Sequence, residues 1–77
     1  MNSPCYITIA QARLVLAEMG IELSDRQLKR AAETDSEGRR KLPFFIDPID
    51  GRLKIEKGVL TRIYRERQSE AESNSKM

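Results

Sequence analysis

Apolar residues in the first third of the chain follow the pattern of a capped amphipathic helix. They recur at steps of three and four residues, which places their side chains on one helix face. Thr8 followed by Gln11 is a capping-box pattern that predicts a helix start at Ile9, and Gly20 predicts its end because glycine readily adopts the left-handed C-cap conformation. Residues 6–8 are predicted to be extended. The apolar face comprises Ile9, Ala12, Val15, Leu16 and Met19.

A second capped helix is predicted directly after a short turn at residues 21–23. Ser24 followed by Gln27 repeats the capping-box pattern, so we expect the helix to run over residues 25–33. Two helices joined by so few residues have to cross sharply. The outer face of the second helix is basic and polar, and its few apolar anchors are Leu28, Ala31 and Ala32.

A β-hairpin is predicted after a hydrophilic loop at residues 34–41. Pro43 restricts the first strand to the edge of a sheet because proline donates no backbone hydrogen bond. Residues 47–51 have the Asp, Pro and Gly content of a turn. In the returning strand, Arg52 and Lys54 are expected to point outward. The inward positions of the two strands are Leu42, Phe44, Ile46, Leu53 and Ile55.

A closing helix is predicted from Glu56 to about Arg65. Residues 66–77 contain almost nothing to bury, so burial cannot offset the entropy of ordering them, and we expect a disordered C-terminal tail. The sequence thus predicts one α+β domain over residues 5–65. The apolar stripe of its last helix is Val59, Leu60, Ile63 and Tyr64.

Composition limits the chemistry that this domain can perform. The 77 residues include one cysteine, Cys5, and no histidine, which excludes an intrachain disulfide, a Cys/His zinc site and catalysis by a histidine base. We expect a non-enzymatic protein without a cofactor. No leader or membrane-spanning pattern is present, so a soluble, cytoplasmic protein is expected. The net charge is only +2, and any attraction for an anionic partner depends on where the charges lie.

The order of the predicted elements is short strand, helix, capped second helix, hairpin and closing helix. Over residues 6–65 this order resembles the small winged helix-turn-helix domains of the excisionase family and the related MerR-type DNA-binding domains. The stretches that carry the likeness are 6–12, 19–24, 41–44 and 51–55. Two features depart from the family pattern: the link between second helix and wing is long, and the wing tip is acidic.

The resemblance implies a sequence-specific double-stranded DNA-binding protein of a mobile element, acting as an excisionase (a recombination directionality factor) or as a small transcription regulator. A domain with about 4 to 6 phosphate contacts binds weakly alone. Self-association on DNA or an integrase or recombinase partner is therefore expected.

The second helix carries the main candidate contacts. Arg26, Lys29 and Arg30 share one face, with Gln27 at its edge, and such side chains pair with guanine, adenine or phosphate in the major groove. The alternative is a solvated face balanced by neighbouring acidic residues. The full set of candidate DNA contacts is Ser24, Arg26, Gln27, Lys29, Arg30, Arg39, Arg40, Lys41, Arg52 and Lys54.

The basic run at residues 39–41 has two open interpretations. It either contacts phosphates beside the second helix or acts as a charged gatekeeper before an apolar segment.

Two catalytic or metal interpretations are unfavourable. A calcium loop starting at Glu33 has Phe44 at its twelfth position, where a carboxylate is required, and Asp47 and Asp50 have the neighbours of turn residues rather than of an acid–base pair.

Two other binding classes stay open. Tyr6, Phe44 and Phe45 are candidate stacking platforms for single-stranded nucleic acid. The acidic wing tip instead favours a protein-interaction adaptor, such as an anti-repressor, built on a helix-turn-helix scaffold.

Overall fold

The computed structural model of the chain describes residues 3–74, which form a small α+β fold. These residues form three helices and a three-stranded antiparallel sheet. The elements in chain order are β1 (Tyr6–Thr8), α1 (Ile9–Glu18), α2 (Asp25–Ala32), β2 (Phe45–Ile46), β3 (Leu53–Glu56) and α3 (Lys57–Asn74).

Both predicted capping boxes are present. The Gln11 amide donates to the Thr8 hydroxyl over 3.2 Å while the Gln11 side-chain oxygen accepts from the Thr8 amide over 2.9 Å. Ser24 and Gln27 form the same reciprocal pair at 3.1 and 2.9 Å. Gly20 follows α1 with a φ of 87°, the left-handed conformation that the sequence predicts. Short-range hydrogen bonding therefore fixes where α1 and α2 begin.

The sheet has the strand order β1-β3-β2, so β3 is central. The predicted hairpin is confirmed by the pairing of Phe45 with Lys54, and β2 lies at the edge of the sheet as expected, although Pro43 itself precedes the strand. The pairing of Ile7 with Ile55 joins β1 to the far side of the hairpin. Sequence analysis predicts β1 as extended but not this pairing, because its partner lies almost fifty residues away.

The core draws one fully buried large side chain from each of four elements: Leu16 of α1, Leu28 of α2, Ile55 of β3 and Leu60 of α3. These are residues that the hydrophobic pattern assigns to inward faces. The remaining buried residues are Ile7, Ala12, Ala32, Leu42 and Phe44. The buried residues of α2 are Leu28 and Ala32, and Ala31 packs partly buried against the same core.

The first strand of the hairpin is shorter than predicted. It spans only Phe45–Ile46, and the Ile46 side chain is 58% exposed rather than inward. The Phe44 amide donates to the Leu42 carbonyl over 2.7 Å, so the chain around Pro43 bends instead of pairing. Leu42 and Phe44 are buried as expected, but they lie in this bend and not in a strand.

The closing helix is longer than predicted. It begins at Lys57 and continues through Asn74, so residues 66–74 are helical instead of forming the expected disordered tail. Pairs of side chains one turn apart stabilise the extension: Arg62 with Glu66 at 3.5 Å, Arg67 with Glu70 at 3.4 Å and Gln68 with Glu72 at 3.4 Å. Residues 75–77 of the expected tail lie outside the described residues.

The Glu56 carboxylate joins the strand, the helix and the amino-terminal segment. It accepts hydrogen bonds from the amides of Gly58 at 3.0 Å, Val59 at 3.3 Å and Cys5 at 3.3 Å. A Cβ atom at Gly58 would lie 2.9 Å from a Glu56 carboxylate oxygen, so glycine permits this approach. The backbone donors, those of Gly58 and Cys5 foremost, lower the pKa of Glu56.

Candidate nucleic-acid interface

The outer face of α2 presents three cationic side chains to solvent. Arg26, Lys29 and Arg30 are exposed, and within residues 3–74 none of them makes an ion pair. The opposite face is anchored by Leu28 and Ala32, which are fully buried. The helical period therefore separates an apolar anchor from a cationic surface within only eight residues.

Ser24 and Gln27 lie at the amino end of this face, but both are engaged in the helix cap. The Gln27 side-chain oxygen already accepts from the Ser24 amide. A bidentate contact with adenine uses both the oxygen and the nitrogen of a glutamine side chain. In the capped geometry the side-chain nitrogen of Gln27 is the group left to donate a hydrogen bond to a base. Ser24 is engaged as the N-cap residue of α2.

An ion pair that sequence analysis missed connects the first two helices. The Arg13 Nε atom lies 2.9 Å from an Asp25 carboxylate oxygen, so α1 is joined to the first turn of α2. Both side chains are solvent-exposed, and such a pair contributes about 1 kcal/mol or less. No local sequence pattern predicts this ion pair, because the two residues meet only once the helices have packed.

The loop after α2 folds around the carboxylate of Asp35. One Asp35 oxygen accepts from the Glu37 amide at 2.8 Å and from the Arg39 amide at 3.0 Å, and the Asp35 amide donates to the Arg39 carbonyl at 2.7 Å. The backbone donors of Arg39 and Glu37 lower the pKa of Asp35. The Asp-Ser-Glu-Gly sequence at residues 35–38 has the composition of such a turn and is the signal that could have found it.

The same loop is attached to the carboxyl end of α2. The Arg40 Nε donates to the Ala32 carbonyl over 2.7 Å, and the Leu42 amide donates to the Ala31 carbonyl over 3.0 Å. Both bonds satisfy carbonyls that a helix end leaves without partners. Arg40, predicted as a phosphate contact, is half-buried and holds α2 in place.

The two basic neighbours of Arg40 in the sequence are more exposed to solvent than Arg40. Lys41 is exposed, and Arg39 is exposed with only a long pair of 3.7 Å to Glu37. The structure therefore divides the basic run at residues 39–41 into one structural side chain and two that are accessible to a partner.

Lys54, another predicted contact, is engaged by the hairpin turn. Its ammonium nitrogen lies 3.0 Å from an Asp47 oxygen and 3.1 Å from an Asp50 oxygen, and the side chain is only 17% exposed. The hydrogen bonds that Lys54 donates to Asp47 and then to Asp50 raise the pKa of Lys54. Lys54 lies on the side of β3 opposite buried Ile55, as expected, but its charge is already paired.

Asp47 and Asp50 act in the turn, as their neighbours indicate. Asp47 accepts from the Ile49 amide at 2.8 Å and Asp50 accepts from the Arg52 amide at 2.9 Å. These backbone donors first, and Lys54 second, lower the pKa of both carboxyl groups. Arg52, on the returning side of the turn, is exposed.

Of the three aromatic candidates for base stacking, Tyr6 and Phe45 are exposed and Phe44 is not. Phe44 is buried in the core. Tyr6 and Phe45 are exposed, but they pack edge to face against each other with ring centroids 5.7 Å apart. In this arrangement the edge of one ring covers one face of the other, and the remaining ring faces take no part in the contact.

Six of the ten candidate contacts remain accessible cations, namely Arg26, Lys29, Arg30, Arg39, Lys41 and Arg52. Exposed ammonium and guanidinium groups suit phosphates and the acceptors of base edges. Across residues 3–74, no group of three or more His, Cys, Asp or Glu side chains is arranged to hold a metal ion.

No protein-family model, curated protein or solved structure matches the chain. None of the helices in the described part of the chain is both long and apolar enough to cross a membrane.

Proposed function

We propose that this protein is a winged helix-turn-helix domain that binds double-stranded DNA sequence-specifically, with the outer face of α2 in the major groove. The observation that carries the proposal is the cationic face itself. Arg26, Lys29 and Arg30 are exposed and have no acidic partner among residues 3–74, on a helix whose other face is anchored in the core. Unpaired cations on one helix face suit guanine edges and phosphates of a major groove.

The attachment of α2 at both ends supports the same proposal. Its amino end is held by the capping box of Ser24 and by the Arg13–Asp25 pair, and its carboxyl end by Arg40 and the Leu42 amide. A helix that is already ordered loses little conformational entropy on binding, so more of the contact energy appears as affinity.

Phosphate contacts are assigned to Arg39, Lys41 and Arg52, the exposed cations that flank α2 and the hairpin in sequence. Such contacts set register without reading bases. If all six accessible cations neutralise phosphates, the slope of log affinity against log salt is about −5. Arg40 and Lys54 are left out of this number because Arg40 Nε bonds the Ala32 carbonyl and Lys54 is paired with two carboxylates.

The biological role that we propose follows the resemblance of residues 6–65 to excisionases. The protein acts as a recombination directionality factor, or as a small transcription regulator, of a mobile element, with an integrase or recombinase as partner and with self-association on DNA. The acidic hairpin tip, which favours a protein-interaction adaptor in the sequence, has carboxylates bonded to its own turn and to Lys54. The structure thus adds no support for the adaptor.

Fluorescence anisotropy with labelled genomic fragments over a salt titration tests the proposal. We expect binding that depends on fragment sequence and weakens steeply with salt. Changing Arg26, Lys29 and Arg30 to alanine should reduce affinity for the best fragment by about 100-fold or more, because each base contact contributes about 1 to 3 kcal/mol.

A matched control removes the same number of charges from α3, by changing Arg62, Arg65 and Arg67 to alanine. This control should retain specific binding. Circular dichroism is recorded for both variants, because Arg62 and Arg67 also make ion pairs along α3, and the α2 variant should have the native helix content. Equal affinity of the two folded triple variants, or no binding of any fragment at low salt, would contradict the proposal.

A further inference from the structure

The first turn of α2 carries a glutamine whose two side-chain ends have different roles. The Ser24 amide donates over 2.9 Å to the Gln27 side-chain oxygen, and because an N–H group bonds only an acceptor, this contact fixes which end of the side chain is the oxygen. The side-chain nitrogen of Gln27 has no hydrogen-bond partner within residues 3–74, and the residue is exposed. Gln27 therefore presents N–H donors to solvent, while its acceptor is held in the capping box.

The side chains next to Gln27 are also donors. Arg26 precedes it, and Arg30 lies one turn further along, three residues from Gln27 and four from Arg26. At this spacing the three side chains are neighbours on the helix surface. A guanidinium group has five N–H donors and no acceptor. The three residues therefore form a surface, here called the donor corner, that can give hydrogen bonds but is not free to accept them.

The acceptors of α2 lie at the ends of the helix and not in the donor corner. The Asp25 carboxylate is paired with Arg13 at 2.9 Å, and the Ser24 hydroxyl accepts from the Gln27 amide at 3.1 Å. Glu33 is the C-cap residue, where the backbone is already extended. In a helix-turn-helix domain the amino-terminal residues of the second helix contact base edges. The part of α2 that would reach bases is therefore the donor corner.

We infer that α2 reads G·C base pairs by their guanine edges, and that Gln27 selects guanine against adenine. This inference rests on the proposed function. In the major groove guanine presents two acceptors, N7 and O6, whereas adenine presents N7 beside an N6 donor and thymine presents one acceptor beside a methyl group. Guanine is the base that donors alone can satisfy completely.

The capping box is what removes adenine as the partner of Gln27. The bidentate contact of glutamine with adenine needs the side-chain oxygen as the acceptor for the N6 donor. Turning that oxygen toward a base would take it from the Ser24 amide and leave the N-cap N–H group without its side-chain partner. Helix capping and adenine recognition thus compete for one atom, whereas capping and guanine recognition use different ends of the side chain.

Selection of bound sequences from a pool of randomised duplexes tests the inference. The wild-type protein should enrich a site that contains G·C pairs. Replacing single guanines of that site with 7-deazaguanine, which lacks the N7 acceptor but keeps its Watson–Crick pairing, identifies the guanines that the protein contacts. Each contacted guanine should lose about 10-fold in affinity when it is replaced.

Gln27→Glu separates the two roles of the side chain. A glutamate at the third helical position also forms a capping box, so the melting temperature should stay at the wild-type value. The amino donors are replaced by a carboxylate oxygen, which accepts from the N4 group of cytosine. The site that this variant selects should therefore carry cytosine in place of guanine at one position. A purely structural role of Gln27 would leave the selected site unchanged.

Gln11→Glu is the matched control. Gln11 occupies the same capping-box position in α1 and is also exposed, so the variant adds the same charge to the same motif. It should select the wild-type site, with any loss of affinity equal for all sequences.

Gln27→Ala gives a second comparison, which needs no new site to be selected. The wild-type protein should prefer its own site by about 10-fold over a site in which the guanine contacted by Gln27 is changed to adenine. Gln27→Ala lacks the discriminating group and should bind the two sites with affinities within about 2-fold of each other. Circular dichroism checks that the variant keeps its helix content.

The outcomes separate this inference from the proposed function. If the wild-type protein enriches no sequence and binds no duplex at low salt, the proposed function fails. If it enriches a site whose contacted pairs are all A·T, recognition of guanine is wrong while DNA binding stands. Selection of the wild-type site by Gln27→Glu, or an undiminished preference for guanine in Gln27→Ala, would overturn the role of Gln27.

Discussion

Single side chains of one chemical type have different roles in this protein, and the difference lies in their partners. Arg39 and Arg40 are adjacent and equally charged, yet Arg40 donates to a helix carbonyl while Arg39 is exposed to solvent. Lys54 and Arg52 differ in the same way, because Lys54 is held by two carboxylates. Charge alone is therefore a poor guide to which cation contacts a ligand.

Separate alanine substitutions of Arg40 and Arg39 should distinguish structural from ligand-binding roles. Arg40→Ala removes the donor to the Ala32 carbonyl and should lower the free energy of unfolding by about 1 kcal/mol. Arg39→Ala should leave stability unchanged and make the salt slope of DNA binding shallower by about 0.9. Urea denaturation and anisotropy measure the two effects. Equal stability of the two variants would disprove the capping role of Arg40.

The secondary-structure elements are determined to different degrees by local sequence. Both capping boxes, the left-handed Gly20 and the tight hairpin turn occur where the residue pattern predicts them, because each depends on groups within four residues of one another. The end of α3 lies beyond the predicted end because a shortage of apolar residues does not exclude an exposed helix. Side-chain pairs along the helix stabilise residues 66–74 without burial.

Loss of the α2 cap should destabilise the domain measurably. Ser24→Ala leaves the Gln27 amide without its side-chain acceptor and should cost about 1 kcal/mol of the free energy of unfolding. Urea denaturation measures this cost. Ser36→Ala, in the exposed loop, is the control and should have wild-type stability. An unchanged denaturation midpoint for Ser24→Ala would mean that the capping box does not stabilise α2.

The fold as a unit depends on ionised carboxylates that accept backbone hydrogen bonds. The pKa values of Asp35, Asp47, Asp50 and Glu56 are all lowered in the folded protein. These groups connect the loop after α2, the hairpin turn and the start of α3, so their ionisation stabilises three separate junctions.

Stability should therefore fall on acidification. A carboxyl group whose pKa is lowered by folding stabilises the protein fully above its ordinary value, here 3.8 for Asp and 4.5 for Glu, and this stabilisation is lost as pH falls through the folded value. The stability contribution of Lys54 has the opposite pH dependence. Its raised pKa stabilises the fold below pH 10.5, and this stabilisation is lost as pH rises through the pKa of the folded protein.

Thermal melting as a function of pH tests this dependence. We expect a plateau through neutral pH, a decline below about pH 4.5 and a smaller decline at the alkaline end. A variant with Asp47→Asn and Asp50→Asn should have a shallower acid decline and no alkaline contribution from Lys54. A melting temperature that rises on acidification would contradict the assignment of these carboxylates.

The hydrophobic pattern and the short polar motifs were sufficient to predict the helix starts, the inward residues Leu16, Leu28, Ile55 and Leu60, and the hairpin. They were sufficient because helical period, strand alternation and capping act between residues close in the chain. The same period identified the cationic face of α2. The bend at Pro43 was missed because alternation of apolar residues does not distinguish a strand from a bent segment with the same inward side chains.

Packing between segments that are distant in the sequence determined the features that local patterns did not predict. The pairing of β1 with β3, the contact between Arg13 and Asp25, and the carbonyl that Arg40 reaches all join residues that meet only after the chain has folded. In each case the local sequence is compatible with several partners, and the folded structure determines which one the group contacts. A local pattern therefore predicts that a side chain is polar and exposed or apolar and buried, whereas three-dimensional proximity determines whether a charge is bonded within the protein or available to a ligand.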